Sequence, residues 1–366
     1  MANDRQTAIP CTLMRGGTSK GPFFLARDLP ADDKTRDRVL LAALGSPDPR
    51  QIDGVGGAEP LTSKVAIVSK SSRPNVDVDY LFAQVSIDRP LVDVSPNCGN
   101  MLAAVGPFAI ERGLIAAHDP QTRVSIYMVN TGNLAVATIQ TPGGSVRYDG
   151  ATAIAGVPGT AAPIAVDFMD TAGSVCDSLL PTGHARDTVD GIEVTCIDNG
   201  MPVVVIPASA FGKTGYESPR DLDADASFKA RLERLRLAAG PLMGLGDVRD
   251  KVVPKMTLIA PPRAGGHVCT RTFIPIRCHA AIGVLGAVSV ATACVLPGSV
   301  AEGIAVKPQG SPLLMSVEHP SGEFTVTLEV SGAGADFKVG RSGILRTARA
   351  LFEGHILVPR AVWTGP

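Results

Sequence analysis

An internal repeat constrains the fold more than any other feature, because two stretches of the chain carry the same elements in the same order. Each stretch has two short apolar strands around a glycine turn, then an amphipathic helix, then a lysine that begins another apolar strand. The first copy begins at Ile9 and the second at Ile192, and Lys64 and Lys255 are the matched lysines. Corresponding positions lie about 180 to 190 residues apart, so one module is predicted to occur twice.

Each copy also contains a segment that is apolar on all sides and is predicted to be a helix. The first covers residues 101–112 and follows Cys98, and the second covers residues 280–295 and follows Cys278. A helix that is apolar all round has to be wrapped by other structure. The expected fold class is therefore α+β, with two pseudo-symmetric domains that each curl a sheet around a central helix.

The domain boundary is predicted in the polar, aperiodic stretch at residues 183–187. This gives an N-terminal domain of residues 1–185 and a C-terminal domain of residues 186–366, with about the last 20 residues expected to pack back on the first domain. A cleft between two such domains is the expected place for a small-molecule site.

Composition excludes several classes of partner. The 366 residues carry a net charge of −1 and only 4% aromatic residues, which disfavours nucleic-acid binding. The uncharged segment 280–301 is interrupted by Pro297 and Gly298, so a buried helix is expected and not a membrane span. Residues 1–10 contain no apolar signal segment. The expectation is a cytoplasmic protein with no membrane partner.

Cofactor motifs are also missing. The seven cysteines show no CxxC spacing, which favours free thiols in a reducing compartment. The histidines lack metal-ligand spacing, and no dinucleotide fingerprint or phosphate loop is present. We therefore expect neither a metal nor an organic cofactor.

Cys98 is the first candidate for chemistry, because it stands before a predicted helix between Asn97, Gly99 and Asn100. A helix N-terminus favours a thiolate and binds carboxylates, and the amides can orient an oxygen. The alternative is a core cysteine at a tight turn. Lys64 is the second candidate, since a lysine partly removed from water can act as a base. Its alternative is an exposed lysine at a strand end.

Further residues are predicted to bind the carboxylates of a substrate. Backbone N–H groups of the glycine turn at residues 16–17 would form an anion-binding nest, and an arginine can grip a carboxylate with two parallel hydrogen bonds. The predicted substrate-binding set is Arg15, Thr18, Ser19, Gly56, Gly57, Ser63, Asn97, Gly99, Asn100, Arg277, Cys278 and His279.

Several motifs together resemble the PrpF family, which contains 2-methylaconitate isomerases and 4-oxalomesaconate isomerases (tautomerases). They are Met-Arg-Gly-Gly-Thr-Ser-Lys at 14–20, Gln-Ile-Asp-Gly-Val-Gly-Gly at 51–57, Leu-Thr-Ser-Lys at 61–64, Asn-Cys-Gly-Asn at 97–100 and Arg-Thr-Ala-Arg-Ala-Leu-Phe at 346–352. The resemblance runs over essentially the whole chain. It implies a fold like that of diaminopimelate epimerase, and it implies catalytic roles for Lys64 and Cys98.

The resemblance looks closest to the 4-oxalomesaconate branch, which serves the breakdown of lignin-derived and gallate-type aromatics. It implies a cofactor-independent 1,3-allylic shift of a proton and a C=C bond in a small tricarboxylate. Lys64 is the candidate base and Cys98 the candidate acid, although reversed roles, or Lys64 acting alone, stay open. The role of Cys278 is also open.

Three other functions remain as alternatives. The first is a 2-methylaconitate or aconitate cis–trans isomerase with the same catalytic groups. The second is an amino-acid epimerase that uses Cys98 and Cys278 as opposed thiols. The third is a tricarboxylate-binding protein without catalysis. A homodimer is the base-rate expectation for the oligomeric state.

Overall fold

The computed structural model describes residues 6–94, 97–169, 171–332 and 336–365. The first five residues, on which the absence of a signal segment partly depends, lie outside this part. The chain divides into two compact units. The first contains the residues up to Asp167 together with those from Arg346 onward, and the second contains Phe168–Leu345.

Strands dominate both units, as the many glycines and prolines of the sequence lead one to expect. The described strands are β1 (Gln6–Gly16), β2 (Ser19–Leu25), β3 (Lys64–Lys70), β4 (Val78–Val85), β5 (Val92–Asp93), β6 (Gln121–Met128), β7 (Asn133–Gln140), β8 (Ile164–Phe168), β9 (Asp187–Val189), β10 (Ile192–Asp198), β11 (Pro202–Pro207), β12 (Lys255–Ala260), β13 (Val268–Phe273), β14 (Leu313–His319), β15 (Gly322–Ser331), β16 (Lys338–Arg346) and β17 (Ala348–Pro359). The described α-helices are α1 (Asp33–Leu44), α2 (Gly99–Leu102), α3 (Val105–Glu111), α4 (Pro219–Ala224), α5 (Ala226–Leu242) and α6 (Val284–Val295).

In the first unit, neighbouring strands follow the order β17–β1–β2–β3–β4–β6–β7. Strands β2 and β3 run parallel, and α1 lies between them in the chain. Strands β4 and β6 also run parallel, and α2 and α3 lie between them. The remaining pairs in this order are antiparallel.

The second unit repeats this topology. Strands β11 and β12 run parallel, and α5 lies between them in the chain. Strands β13 and β14 also run parallel, and α6 lies between them in the chain. The pairs β10–β11, β12–β13 and β14–β15 are antiparallel, like their counterparts in the first unit. The repeat read from the sequence is thus present in the strand order of both units.

Both crossover helices begin after a capping aspartate. Asp32 caps α1 by accepting the N–H of Thr35 at 2.8 Å, and Asp225 caps α5 by accepting the N–H of Phe228 at 2.9 Å. The apolar face of α5 is buried in the core of the second unit, and it consists of Phe228, Leu232, Leu235 and Ala239.

The central helix of the second unit is α6, which packs against β10, β11, β14 and β15. The pair β10–β11 is separated from the pair β14–β15 by β12 and β13, so the sheet has to curl for both pairs to contact the same helix. The helix begins at Val284, after a Gly283 cap, and not at residue 280 as predicted. Within the described ranges, no helix combines the length and apolarity needed to cross a bilayer.

The central helix of the first unit is broken, which the sequence analysis did not anticipate. In place of one helix over residues 101–112, α2 ends at Leu102 and α3 begins at Val105. Pro107 accounts for the break, because it has no N–H to donate to the carbonyl of Ala103 and is tolerated only in a helix's first turn. Helix α2 packs on β1 and β2, and α3 packs on β3, β6 and β7.

The boundary between the units differs from the predicted 185/186, because it falls after Asp167. The polar stretch after it is tied to β10 of the second unit. The carboxylate of Asp198 accepts the N–H groups of Val175 and Cys176 at 2.7 and 2.8 Å, and the N–H of Gly173 donates to the carbonyl of Asp198. At the other end of the chain, β17 pairs along its length with β1.

Candidate active site

Lys64 and Cys98 are in direct contact. Lys64 is the first residue of β3, and Cys98 immediately precedes α2. The amine Nζ of Lys64 donates a hydrogen bond to Sγ of Cys98 at 3.2 Å, and each residue is only 8% exposed. The two residues that the sequence analysis selected as catalytic therefore form one buried pair.

Two aromatic side chains of β4 enclose this pair. Nζ of Lys64 lies 5.6 Å from the centre of the Phe82 ring, and the hydroxyl of Tyr80 donates to the Cys98 carbonyl at 3.4 Å. Complete burial, with a smaller contribution from Cys98, raises the pKa of Tyr80 well above its ordinary value, so it remains a neutral donor. Neither residue was predicted from the sequence, and the two alternate along β4, which is antiparallel to β3.

The helix that follows Cys98 is shorter than predicted. Helix α2 has only four residues, from Gly99 to Leu102, so its dipole is small. The first N–H groups of any helix nevertheless lack partners within the helix, and those of Gly99 and Asn100 belong to this first turn. The start of α2 therefore offers a few N–H donors beside the thiol of Cys98, but not the electrostatic field of a long helix dipole.

The turn between β1 and β2 packs directly on the start of α2. A Cβ atom on Gly17, whose φ is +52°, would lie 2.2 Å from Oδ1 of Asn100, and one on Gly16 would lie 2.4 Å from the Asn100 carbonyl. Only glycine fits at either position. Nδ2 of Asn100 donates to Oγ1 of Thr18 at 3.0 Å. The structure thus brings Thr18 next to Asn100, two residues after Cys98.

Several polar atoms in this region are buried without a partner. In the part of the chain that the structure describes, Ser19 Oγ, Asn97 Oδ1 and Asn100 Oδ1 have no hydrogen bond. A buried polar atom left unpaired costs about 1–3 kcal/mol, so such atoms call for an explanation. A polar ligand that reaches them would remove this cost.

Arg15 holds the same turn from the side of β1. Its Nη1 donates to the carbonyl of Gly17 at 2.8 Å, and to the carbonyl and hydroxyl of Thr347 at 3.1 and 3.0 Å. Thr347 also accepts the N–H of Gly17 at 2.8 Å. The guanidinium is half-buried, and burial together with the nearby Arg349 lowers the pKa of Arg15 from its ordinary value.

The loop with Gly56 and Gly57 is structural, which corrects its predicted role in carboxylate binding. The N–H of Gly56 donates to the carbonyl of Leu44, and that of Gly57 to the carbonyl of Thr62, both at 3.2 Å. Neither amide is left for a ligand.

Ser63 is likewise engaged within the protein. Its hydroxyl lies 2.8 Å from Oε1 of Gln51 and 2.9 Å from the carbonyl of Glu59. The carbonyl of Ser63 accepts Nε2 of Gln84 at 3.0 Å. These contacts fix the backbone immediately before Lys64.

The other three predicted residues belong to the second unit, where Cys278 is a core residue. Its N–H donates to Oδ1 of Asp223 at 2.8 Å, and its side chain packs in the apolar core of that unit. Burial, and then Asp223, raise the pKa of Cys278 to about 12, although Arg271 opposes the shift. The residue does not begin α6, so the predicted helix terminus at this thiol is wrong.

Arg277 and His279 flank Cys278. The side chain of Arg277 is 87% exposed, and its Nε lies 3.9 Å from Oδ2 of Asp223. Nδ1 of His279 accepts the N–H of Ala281 at 2.9 Å. The exposed guanidinium has the donors that carboxylate recognition needs.

Metal-binding and disulfide chemistry find no support in the described residues. No group of three His, Cys, Asp or Glu side chains there is arranged as metal ligands would be. The seven cysteines of the chain are free thiols.

Comparison with known proteins identifies the family. The family model described as PrpF protein matches residues 6–359. The chain belongs to the PrpF family. It is 62% identical over 351 residues to the (4E)-oxalomesaconate Delta-isomerase of Novosphingobium sp. strain KA1, covering 96% of this chain and 98% of the relative. It is 58% identical over 361 residues to the 4-oxalomesaconate tautomerase of Pseudomonas putida KT2440, covering 99% of each chain.

Solved structures confirm the predicted fold class. A crystal structure of a methylitaconate-delta-isomerase superposes with a TM-score of 0.85 at 35% identity, covering 98% of this chain and 97% of that one. A hydroxyproline epimerase from Agrobacterium vitis superposes with a TM-score of 0.52 at 14% identity, over 97% of this chain and 93% of that one. This PrpF chain therefore has the epimerase-like α+β fold.

Proposed function

We propose that this protein is a 4-oxalomesaconate isomerase that moves a proton, and with it a C=C bond, between two carbons of an allylic system. The observation that carries the proposal is the buried contact between Lys64 and Cys98 at 3.2 Å. It gives the chain a base and an acid in one place. The names of the two relatives described above, at 62% and 58% identity, support the choice of substrate.

In the proposed mechanism, Lys64 in its neutral form removes a proton from the allylic carbon and becomes an ammonium group. The electrons delocalise into a dienolate. The thiol of Cys98 then protonates the far carbon of the allylic system and becomes a thiolate. The ammonium of Lys64 finally returns a proton to Sγ across their hydrogen bond, which restores both groups for the next turnover.

The spacing of the pair suits such a shift on one face of the substrate. The two terminal carbons of an allylic system lie about 2.5 Å apart, given ordinary carbon–carbon bond lengths. Nζ and Sγ are 3.2 Å apart, so each can approach a different terminal carbon from the same side. The proposal therefore includes a suprafacial transfer.

The developing negative charge also needs donors. Free N–H groups of the first turn of α2, at Gly99 and Asn100, stand beside Cys98. Donors that are already in place when charge develops lower the barrier without reorganisation. We assign the dienolate oxygen to these groups.

Proton NMR of purified protein with 4-oxalomesaconate in D₂O tests the proposal. The expected result is a shifted alkene with deuterium at one allylic carbon, in the presence of EDTA and without nucleotide. Isomerisation of 2-methylaconitate alone would keep the mechanism and change the substrate. Tight binding of both compounds without any proton movement would replace the proposal with a tricarboxylate-binding protein.

The proposal extends to the setting of the enzyme. It would work in the cytoplasm, without a cofactor, in the breakdown of lignin-derived and gallate-type aromatics, and as a homodimer. Free cysteines suit a reducing compartment. The apolar side chains of Leu351, Phe352 and Leu357 on β17 are 44%, 55% and 52% exposed, which suits a subunit contact. Light scattering of the purified protein at micromolar concentration tests the dimer.

A further inference from the structure

Strand β4 has a gap in its backbone pairing close to the Lys64–Cys98 pair. One edge of β4 pairs with β3 along nearly its whole length, and the other edge is shared by two strands. On that second edge β6 pairs with residues 78–80 and β5 pairs with residues 84–85, and the described pairings leave Phe82 between them. A backbone N–H and C=O in such a position need partners from elsewhere.

Asn130, in the turn between β6 and β7, fills this gap with its side chain. Its Oδ1 accepts the N–H of Phe82 at 2.9 Å, and its Nδ2 donates to the carbonyl of Phe82 at 2.8 Å. The carboxamide thereby takes the place of a strand residue beside β4. Nδ2 has a second hydrogen to donate, and it donates to the carbonyl of Val94 at 2.6 Å. One side chain therefore joins β4 to the residue that follows β5.

The next residue of the same turn holds the chain at a second point. Oγ1 of Thr131 accepts a hydrogen bond from Nδ2 of Asn97, which immediately precedes Cys98. The chain that leads from β5 to Cys98 is therefore held both where it leaves the strand and where it reaches the thiol. We call the two residues that hold it, Asn130 and Thr131, the turn clamp.

Both parts that the turn clamp joins contact the catalytic pair. The ring of Phe82, whose backbone the clamp holds, has its centre 5.6 Å from Nζ of Lys64. Asn97, the other contact of the clamp, is covalently linked to Cys98, whose Sγ accepts the hydrogen bond from Nζ at 3.2 Å. A shift of one part relative to the other would therefore change the distance between the amine and the thiol.

We propose that Asn130 and Thr131 are positioning residues, which keep the thiol of Cys98 in contact with the catalytic amine. This inference rests on the proposed function. The clamp takes no part in proton transfer, and it acts only through the residues that it holds. A displacement of about 1 Å between reacting groups can cost about 10²-fold in rate, so loss of the clamp is expected to lower kcat and to leave substrate binding unchanged.

Asp77 provides a matched control at the opposite end of the same strand pair. Its Oδ2 accepts the N–H of Ser125 at 2.9 Å, so it joins the start of β4 to β6 through a bond from side chain to backbone. Asp77 and Asn130 are both partly buried. Loss of either side chain should lower stability, but only the loss of Asn130 should alter the catalytic pair.

The test compares Asn130→Ala, Thr131→Val and Asp77→Ala. Turnover of 4-oxalomesaconate should show kcat reduced about 10- to 100-fold in Asn130→Ala and about threefold or more in Thr131→Val, with KM within about threefold. Calorimetry with propane-1,2,3-tricarboxylate, a saturated analogue that cannot isomerise, should give the native affinity in all three variants. Asp77→Ala should keep native kcat even where its midpoint of urea unfolding falls.

Alkylation of Cys98 reports on the turn clamp without turnover. The thiol is only 8% exposed, so its reaction with iodoacetamide depends on local opening. Loss of the clamp should speed this alkylation about fivefold or more, as followed by mass spectrometry, because the segment that carries the thiol opens more often. Asp77→Ala should react at the native rate. Thr131 is exposed, so Thr131→Val gives the measurement if Asn130→Ala does not fold.

Two results would overturn the inference. They are native kcat with native alkylation in both clamp variants, or an equal loss of kcat in Asp77→Ala and Asn130→Ala. Failure of the proposed function is distinguishable. If the native protein leaves 4-oxalomesaconate unchanged but loss of the clamp speeds alkylation of Cys98, the clamp stands and the reaction assignment falls. If turnover occurs and both clamp variants keep native kcat, only the clamp falls.

Discussion

Nζ of Lys64 donates a hydrogen bond to Sγ of Cys98 although the two residues are 34 positions apart in the chain. Both groups are almost fully removed from solvent. Each side chain is the hydrogen-bond partner of the other, so a change at either residue leaves the other without its buried partner. The pair is therefore expected to behave as one catalytic unit in mutagenesis.

Replacing the base tests the first half of this unit. Lys64→Met keeps the length of the side chain and removes the amine, so kcat should fall by about 10²–10⁴-fold, the usual contribution of a general base. Affinity for propane-1,2,3-tricarboxylate should stay within about tenfold. Lys70→Met, at the exposed end of the same strand, is the control and should keep native kcat. A Lys64→Met enzyme with native turnover would remove the lysine from the mechanism.

Matched alanine substitutions separate the two buried cysteines. Cys98→Ala should lower kcat by about 10²-fold or more, because it removes the proposed acid. Cys278→Ala should keep kcat within about threefold and lower the free energy of unfolding by about 1 kcal/mol, the cost of a small cavity in the core of the second unit. Steady-state kinetics and urea unfolding measure both effects. Equal loss of activity in the two variants would favour an epimerase-like pair of thiols.

Because β2 and β3 approach closely at Gly21, we expect substitution of this glycine to destabilise the protein. An alanine there would place Cβ 1.7 Å from the carbonyl oxygen of Lys64, so β2 and β3 would have to separate. We expect Gly21→Ala to lose about 2 kcal/mol or more of stability and most of its activity. Gly340→Ala, whose nearest atom would lie 3.7 Å away, is the control. Native stability in Gly21→Ala would show that the strands are further apart than described.

Lys255, the repeat counterpart of Lys64, predicts a pH dependence of stability. Burial, followed by Arg236, lowers the pKa of Lys255 to about 8 from 10.5. Below pH 8 the lysine is charged in both folded and unfolded protein, and folding pays to bury that charge. Between pH 8 and 10.5 the folded state loses the proton first, so the native protein gains stability as pH rises.

Lys255→Met removes this cost. The variant should exceed the native protein by about 1–2 kcal/mol at pH 7, less than the full shift implies because the side chain is partly exposed. The advantage should shrink by pH 10. Urea unfolding at both pH values measures it, and a difference between the two proteins that does not change with pH would contradict the prediction.

The sequence predicted the features that depend on local periodicity. The repeat was predicted from the matched order of strands, turns and crossover helices. Lys64 and Cys98 were selected as catalytic candidates by residue type and by their positions at the start of a strand and before a helix. The break in the first central helix was not predicted, because the apolar residues continue across it. Pro107 lies in the first turn of α3 and prevents one continuous helix. Cys278 was misjudged for a related reason, since Cys98 precedes a helix directly whereas α6 begins only at Val284.

The proximity of Arg15 and Arg349 could not be predicted from the sequence, for a different reason. Arg15 and Arg349 become neighbours only through the pairing of the first and last strands of the chain. The hydrogen bonds made by the backbone N–H groups of Gly56 and Gly57 could not be predicted either. Their acceptors, the carbonyls of Leu44 and Thr62, depend on how the loop folds. Long-range register and backbone hydrogen bonding have no signature in a single sequence.

The most direct test of the Lys64–Cys98 pair is the stereochemical course of the proton transfer. Substrate deuterated stereospecifically at the allylic carbon is converted in water, unlabelled substrate is converted in D₂O, and NMR assigns the face of proton loss and of proton gain. Because Nζ and Sγ lie 3.2 Å apart, loss and gain should occur on the same face of the substrate. Loss on one face and gain on the opposite face would contradict the mechanism, because a proton donor other than this pair would then be required.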